Sequence, residues 1–237
     1  MTLTEPSSAD SQLTVEDRAR AIRDRLRDAI VDRRLGPGVK LVESEVGELF
    51  DASRTIARSA LQMLSFEGLV RIERNRGAFV ASPTPKEARQ LFTARRLIEP
   101  GIVEAACARI TPKDVERLKA HLADERRHMN QHGPNARRAE IRASGDFHLM
   151  LAEIADNAIL KRFMDELIAR SSLVIALYGR SGASSCGHGE HEVIVQAVAM
   201  GDGAKAQALV LHHIDHIEAD LDLRDNTVLD LRDALQL

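Results

Sequence analysis

Two prolines within four residues, Ser82-Pro83-Thr84-Pro85, divide this chain into stretches of different hydrophobic period. Each proline disfavours helix at the residue before it and stiffens the backbone, as a linker requires. Ahead of this segment, short helical and short extended patterns alternate, whereas behind it apolar residues recur only at helical spacing. With 237 residues, 44% of them hydrophobic, the chain can bury two modest cores. The expected organisation is a flexible arm over 1–14, a first domain over 15–82, a linker over 83–86, a second domain over 87–223 and a tail over 224–237.

In the first domain, Ala19, Ile22, Leu26 and Ile30 define one face of a helix from Val15 to about Arg33, which Leu35-Gly36-Pro37-Gly38 ends in a turn. A short extended piece, Val39 to Leu41, leads to a helix over Glu43 to Phe50. After a break at Asp51-Ala52, a second helix starts at Ser53. Two short helices joined by a tight turn are a helix-turn-helix pattern. Beyond Gly68, two short strands flank Asn75-Arg76-Gly77 and form a hairpin, a wing on that motif. The second domain reads as six helices, at about 86–109, 112–131, 135–156, 158–178, 188–200 and 203–222. The fold class is therefore mainly α: a winged helix-turn-helix of three helices and a β-hairpin, followed by an all-helical bundle.

A net charge of −3 carries no global signature of nucleic-acid binding, so that function has to rest on local charge. Aromatic residues make up 3% of the chain and Trp is absent, which disfavours a stacking platform for single strands and leaves duplex DNA open. Ser53 can cap its helix, and Arg54 and Arg58 share one face, opposite Ala57, Ala60, Leu61 and Leu64. Like charges four residues apart destabilise an isolated helix by roughly 0.2–0.5 kcal/mol, which an anionic partner reverses. A solvated surface helix would look the same, but Arg71, Arg74 and Arg76 follow in the hairpin and concentrate positive charge on the motif.

Helical spacing also sorts the nine histidines. His191 aligns with Ile194, Val195 and Val198. His213 aligns with Ala206, Leu209, Val210 and Ile217, and His148 shares a stripe with Ser144, Leu151, Ala152 and Ala155. A single imidazole on an apolar face is usually a hydrogen-bonded core residue, but three on separate helices can hold a divalent metal such as Zn or Ni with an open position. His212 and His216 lie together on a neighbouring stripe with Lys205. Arg95 aligns with Leu91, Ile98 and Ile102, so its guanidinium can meet a ligand carboxylate inside the bundle or pair with Glu99 four residues on.

The residues Pro37-Gly38, Ser53-Arg54-Thr55, Arg58, Ala60-Leu61, Glu67-Gly68-Leu69-Val70, Gly77 and Val80 resemble the DNA-binding domain of GntR-type regulators. That resemblance implies that Arg54 and Arg58 read bases or phosphates and that Ser53 and Thr55 contact the DNA backbone. Arg76 and Gly77 then form the wing tip at the minor groove. Arg33, Ile56 and Ser59 stand where Gly, Pro and Glu are frequent. From Glu87 to about Leu223 the chain resembles the FCD ligand-binding domain, on Arg95 through Glu99, Phe147-His148, Leu151, Asn157, the His191 helix, Gly201-Asp202 and His213. This implies a metal at His148, His191 and His213 that helps to hold a carboxylate effector, with Arg95, Ser144 and Asn157 lining its pocket. The aspartate expected four residues before His148 is Ser144, a weaker ligand, and Asn157 reads equally as a helix cap.

The expected function is transcription regulation by a cytoplasmic homodimer that binds operator DNA and a small carboxylate. No apolar run approaches the roughly 20 residues of a membrane span, and Met1 to Glu16 lacks the apolar stretch of a secretory signal. Cys107 and Cys186, one in a helical pattern and one in a Gly/Ser-rich loop, suggest no disulfide framework. A metal-dependent enzyme is the competing class, although His188-Gly189-Glu190-His191 is not the HExxH pattern. A third reading keeps the DNA-binding head and makes the metal a strut or the signal itself.

Overall fold

Helix α1 (Val15–Val31) starts where Thr14 accepts a hydrogen bond from the Asp17 amide and Asp17 reaches back to the Thr14 N–H. This reciprocal cap ties Thr14 to the helix rather than to the preceding arm. The helix buries Ala19, Ile22, Leu26 and Ile30 and stops two residues short of the sequence expectation. Arg33 turns the chain in the left-handed region, φ 58°, which is the conformation that favours glycine at this position. The computed structural model describes residues 14–131, 133–180 and 188–224. The arm over 1–13, the Cys186 loop and the tail beyond Arg224 lie outside the described residues.

The chain divides into two units, 1–81 and 82–237. In the first, β1 (Lys40–Leu41) leads to α2 (Glu43–Leu49) and α3 (Arg54–Phe66), then to β2 (Val70–Glu73) and β3 (Gly77–Val80). The sheet is antiparallel in the order β1-β3-β2, with Val70 opposite Val80 and Lys40 opposite Phe79. Asn75 and Gly77, at φ 64° and 99°, make the reversal between β2 and β3. Ala57, Ala60, Leu61 and Leu64 of α3 are buried with Leu69, Val70 and Val80.

The turn between α2 and α3 depends on Gly47. The Ala52 amide donates to the Gly47 carbonyl at 2.8 Å, and a Cβ on Gly47 would sit 2.7 Å from the Ala52 oxygen. Glycine to alanine within a helix ordinarily gains about 1 kcal/mol. Gly47→Ala is expected instead to lose about 1–2 kcal/mol, because the backbone has to shift. A lower thermal midpoint with retained helical circular dichroism is the expected result; a raised midpoint would count against the close approach.

The second unit contains α4 (Pro85–Cys107), α5 (Pro112–Met129), α6 (Pro134–Ile154), α7 (Ala158–Tyr178), α8 (His188–Ala199) and α9 (Gly203–Ala219). The expected linker over 83–86 is shorter than it reads, since Pro85 occupies the first helical turn and Thr84 caps it with Glu87. Proline at that place loses no helical hydrogen bond, because the first amides have no partner within the helix. Helix α4 packs against α9, α7, α6 and α8, while α5 packs on α6 and α8. Phe92, Ile102, Leu118, Phe147, Leu151, Val174, Ile194, Val198, Val210 and Ile214 are core residues exposed by 1% or less, so the interior reached by α4, α6, α8 and α9 is closed to bulk solvent. At Gly145 a Cβ would meet the Ile168 side chain at 2.7 Å, and this absence of a side chain lets α6 approach α7 closely just before His148. No helix among the described residues is long and apolar enough to cross a membrane.

Candidate functional sites

The N-terminus of α3 begins at Ser53, which is extended (φ −66°, ψ 154°) and accepts a long hydrogen bond, 3.4 Å, from the Ile56 amide. Ser53, Arg54, Thr55 and Arg58 are exposed on the face opposite the buried apolar stripe. Both arginines have a partner that sequence reasoning missed. Glu43, the first residue of α2, accepts from Arg54 Nε at 2.8 Å and from Arg58 Nε and Nη2 at 2.8 and 2.9 Å. Those guanidinium hydrogen bonds hold the Glu43 carboxyl down to about 2. In the wing, Arg71 and Arg76 pair with Glu73 at 2.7 and 2.5 Å, and the Arg76 guanidinium lies 5.5 Å from the centre of the Phe79 ring. Arg71, Arg74, Arg76 and Gly77 are exposed. The arginine ends of these pairs are exposed, and ion pairs of that kind contribute little to stability.

In the second unit the structure brings His148 of α6, His191 of α8 and His213 of α9 together, each exposed by 2% or less. Their Nε2 atoms converge, with His191 to His213 at 3.1 Å and His213 to His148 at 3.3 Å. Ligand nitrogens about 2.0–2.1 Å from a tetrahedral zinc are separated by about 3.3 Å, so the spacing suits such an ion. The opposite ring nitrogens all face carboxylates. His213 Nδ1 is 2.7 Å from Glu190, and His191 Nδ1 is 3.0 Å from both Glu125 oxygens. His148 Nδ1 is 2.7 Å from Glu99, in a contact whose direction lies outside hydrogen-bond geometry. With the proton on Nδ1, His191 and His213 turn their Nε2 lone pairs toward the centre, the arrangement by which carboxylates orient metal-binding imidazoles. The Phe147 ring stacks on His191 with centroids 4.0 Å apart and fixes its plane.

Burial pushes His148 and His213 down to about 4, against the pull of Glu99 and Glu190, and burial likewise lowers His191. The rings are therefore neutral at pH 7. Burial works to raise the Glu99 carboxyl, but Arg95 and His148 overcome it and hold Glu99 well below the usual carboxylate range. Glu99, Glu125 and Glu190 thus set three carboxylates behind the rings, the kind of backing by which imidazoles are oriented toward a cation.

Arg95, 1% exposed, pairs through Nε with Glu99, sits 3.5 Å from Ser171 Oγ through Nη1, and directs Nη2 at His148 Nε2 from 3.3 Å. Its salt bridge and its inward position, alternatives from sequence, thus occur together. Ser144 is half-buried one turn before His148 on α6. Asn157 is not brought to the centre: it is exposed and caps α7 by accepting from the Ile159 and Leu160 amides at 3.1 Å. A short polar side chain at a helix start bonds its own free amides first. Glu125 was missed although a signal existed, since it continues the buried stripe of Leu118 and Leu122 on α5.

Residues 90–216 match the profile of the FCD domain, and residues 18–80 match that of "Bacterial regulatory proteins, gntR family". The chain is 29% identical to the Uxu operon regulator of Haemophilus influenzae, over 76% of this chain and 72% of that protein. It is also 29% identical to the HTH-type transcriptional regulator LutR of Bacillus subtilis, over 78% of this chain and 92% of LutR. Among solved structures, a transcriptional regulator GntR from Rhodococcus sp. RHA1 superposes with a TM-score of 0.72 at 26% identity, covering 85% of this chain and 96% of that one. Escherichia coli McbR/YncC shares the fold, with a TM-score of 0.75 at 14% identity over 88% and 97% of the two chains.

Proposed function

Because this chain belongs to the GntR family of bacterial transcription regulators and carries the family's FCD domain, we propose that its DNA affinity is set by a small carboxylate bound at a divalent metal on His148, His191 and His213. The observation that carries this reading is the convergence of three buried Nε2 atoms, each ring backed by a carboxylate. An ion held there would offer an open coordination position to a carboxylate oxygen. Arg95 supplies the complementary charge: its Nη2 edge faces the centre while its Nε edge stays on Glu99, so an incoming carboxylate meets a guanidinium already oriented. Ser144, one turn before His148, lines the same pocket.

The DNA-binding half of the proposal places α3 in the major groove, with Arg54 and Arg58 on bases or phosphates and Ser53 and Thr55 on the backbone. Arg76 and Gly77 take the wing tip into the neighbouring minor groove. A cytoplasmic homodimer presents two such heads to a palindromic operator, with half-sites about one helical turn or a multiple apart. The effector acts by favouring one arrangement of the two heads over the other. The matched families and relatives are transcription regulators, so the metal-dependent enzyme alternative is set aside.

Elemental analysis of purified protein, joined to a thermal-shift screen of small carboxylates with and without chelator, tests this reading. At least one tightly held divalent ion per chain is expected, with a carboxylate that raises the midpoint and changes operator affinity only while the ion is bound. An ion whose removal alone changes operator affinity, with every carboxylate silent, would instead make the metal the signal. The carboxylates behind the histidines have their own test: Glu125→Gln is expected to weaken metal binding by about 10–100-fold while preserving shape. Competition with a chromophoric chelator measures it, and unchanged affinity would remove Glu125 from the site.

A further inference from the structure

On the outer side of the same helices, His212 and His216 stand one turn apart on α9, exposed, with ring centroids 4.0 Å apart. Glu190 of α8 lies between this pair and the interior. Its Oε2 accepts from His213 Nδ1 at 2.7 Å, and its Oε1 accepts from His216 Nδ1. One donor atom from each of Glu190, His212 and His216 lies within 4.8 Å of the others. Solvent reaches the two imidazoles, and Glu190 Oε1 already meets His216.

We propose that Glu190, His212 and His216 form a second, solvent-facing site for a divalent transition metal, joined to the interior histidine centre through the two oxygens of Glu190. Two imidazoles four residues apart on a helix face plus a carboxylate from a packed neighbour make the mixed N/O set that Zn²⁺, Ni²⁺ and Cu²⁺ favour over Mg²⁺ or Ca²⁺. Oε1 and His216 now touch, and the exposed ring can draw back to admit an ion between them. An ion on Oε1 withdraws charge from Oε2, so His213 Nδ1 keeps a weaker acceptor and its Nε2 becomes a poorer ligand. The outer site thereby lowers the affinity of the inner one. This link rests on the reading of His213 as a metal ligand, but the outer site itself does not.

Zinc alone, titrated calorimetrically into the full chain after chelator treatment, tests the proposal with two variants. Wild type is expected to bind two ions per chain in two affinity classes. His212→Ala/His216→Ala, both at exposed positions, is expected to lose the weaker class and bind the inner ion several-fold more tightly. His148→Ala/His191→Ala is expected to retain the outer class, with circular dichroism and melting reporting its fold. If the inner variant binds nothing while the outer variant still takes up two ions, or if wild type shows a single class that the outer variant keeps, the outer site is overturned. A single class that disappears in the outer variant and survives in the inner one supports the outer site and refutes the interior centre. Unchanged inner affinity in the outer variant overturns the link.

Discussion

Arg54→Ala/Arg58→Ala is expected to give a folded protein that has lost its operator. Both side chains are exposed and neither contributes to the apolar face of α3, so melting should change little. Each guanidinium that reads a base is worth about 1–3 kcal/mol, so affinity should fall by at least about 30-fold. Where the contacts are to phosphate instead, the log–log salt slope should decrease by about 2. Gel shifts or fluorescence anisotropy across a salt series, on a duplex selected from random sequence by the wild type, measure both effects. An unaltered affinity and slope would move the DNA interface away from α3. The substitution also frees Glu43 from the three hydrogen bonds, from two arginines, that hold its carboxyl at about 2, so its titration should return toward that of an ordinary glutamate.

The second large effect is acid lability of the chelator-treated protein. His148 and His213 titrate near 4 when folded, because burial disfavours their charged forms, and near 6.5 when unfolded. As pH falls through 6.5 the unfolded chain takes up protons that the native chain refuses. Stability is thus fully present above pH 6.5 and drains away down to about pH 4. His191 is shifted in the same direction, and Glu99 and Glu190, held below the usual carboxylate range, extend the loss at still lower pH. The sum is on the order of several kcal/mol, a large share of a typical domain's stability. Urea titrations at pH 7.5, 6, 5 and 4 should show a falling midpoint. Zinc at about a thousandfold over its dissociation constant should add roughly 4 kcal/mol at pH 7.5, and less in acid, where protons compete for the same nitrogens. A midpoint independent of pH between 7.5 and 5 would contradict the burial of neutral imidazoles.

Sequence periodicity located the helices of the second unit because each carries an apolar stripe, and it placed His148, His191 and His213 on such stripes, which the bundle brings to one point. Element ends were less legible. Pro85 reads as a linker residue until it is seen to start α4, and Arg33 as a helix residue until its positive φ ends α1 early. Glu125 was readable in principle, since an acid in line with Leu118 and Leu122 requires a buried partner. Nothing along the chain pairs Glu43 with residues 11 and 15 positions away, because that contact depends on the angle of the turn at Gly47. Asn157 could be read as either a cap or a pocket residue, and backbone amides one turn away secured it first.

The Glu43 carboxylate has a consequence for how this protein would search a genome. It occupies Arg54 and Arg58 as a phosphate would, and so acts as a tethered competitor at high local concentration. A duplex that binds through these two arginines, as proposed, has to displace it. A random sequence offers phosphates alone and roughly exchanges one anion for another, whereas an operator adds base-edge hydrogen bonds that the carboxylate cannot imitate. With Arg54 and Arg58 as the proposed DNA contacts, such an internal decoy would weaken binding to all DNA by a similar factor and shorten the time spent on wrong sites, leaving the difference between right and wrong sequences intact.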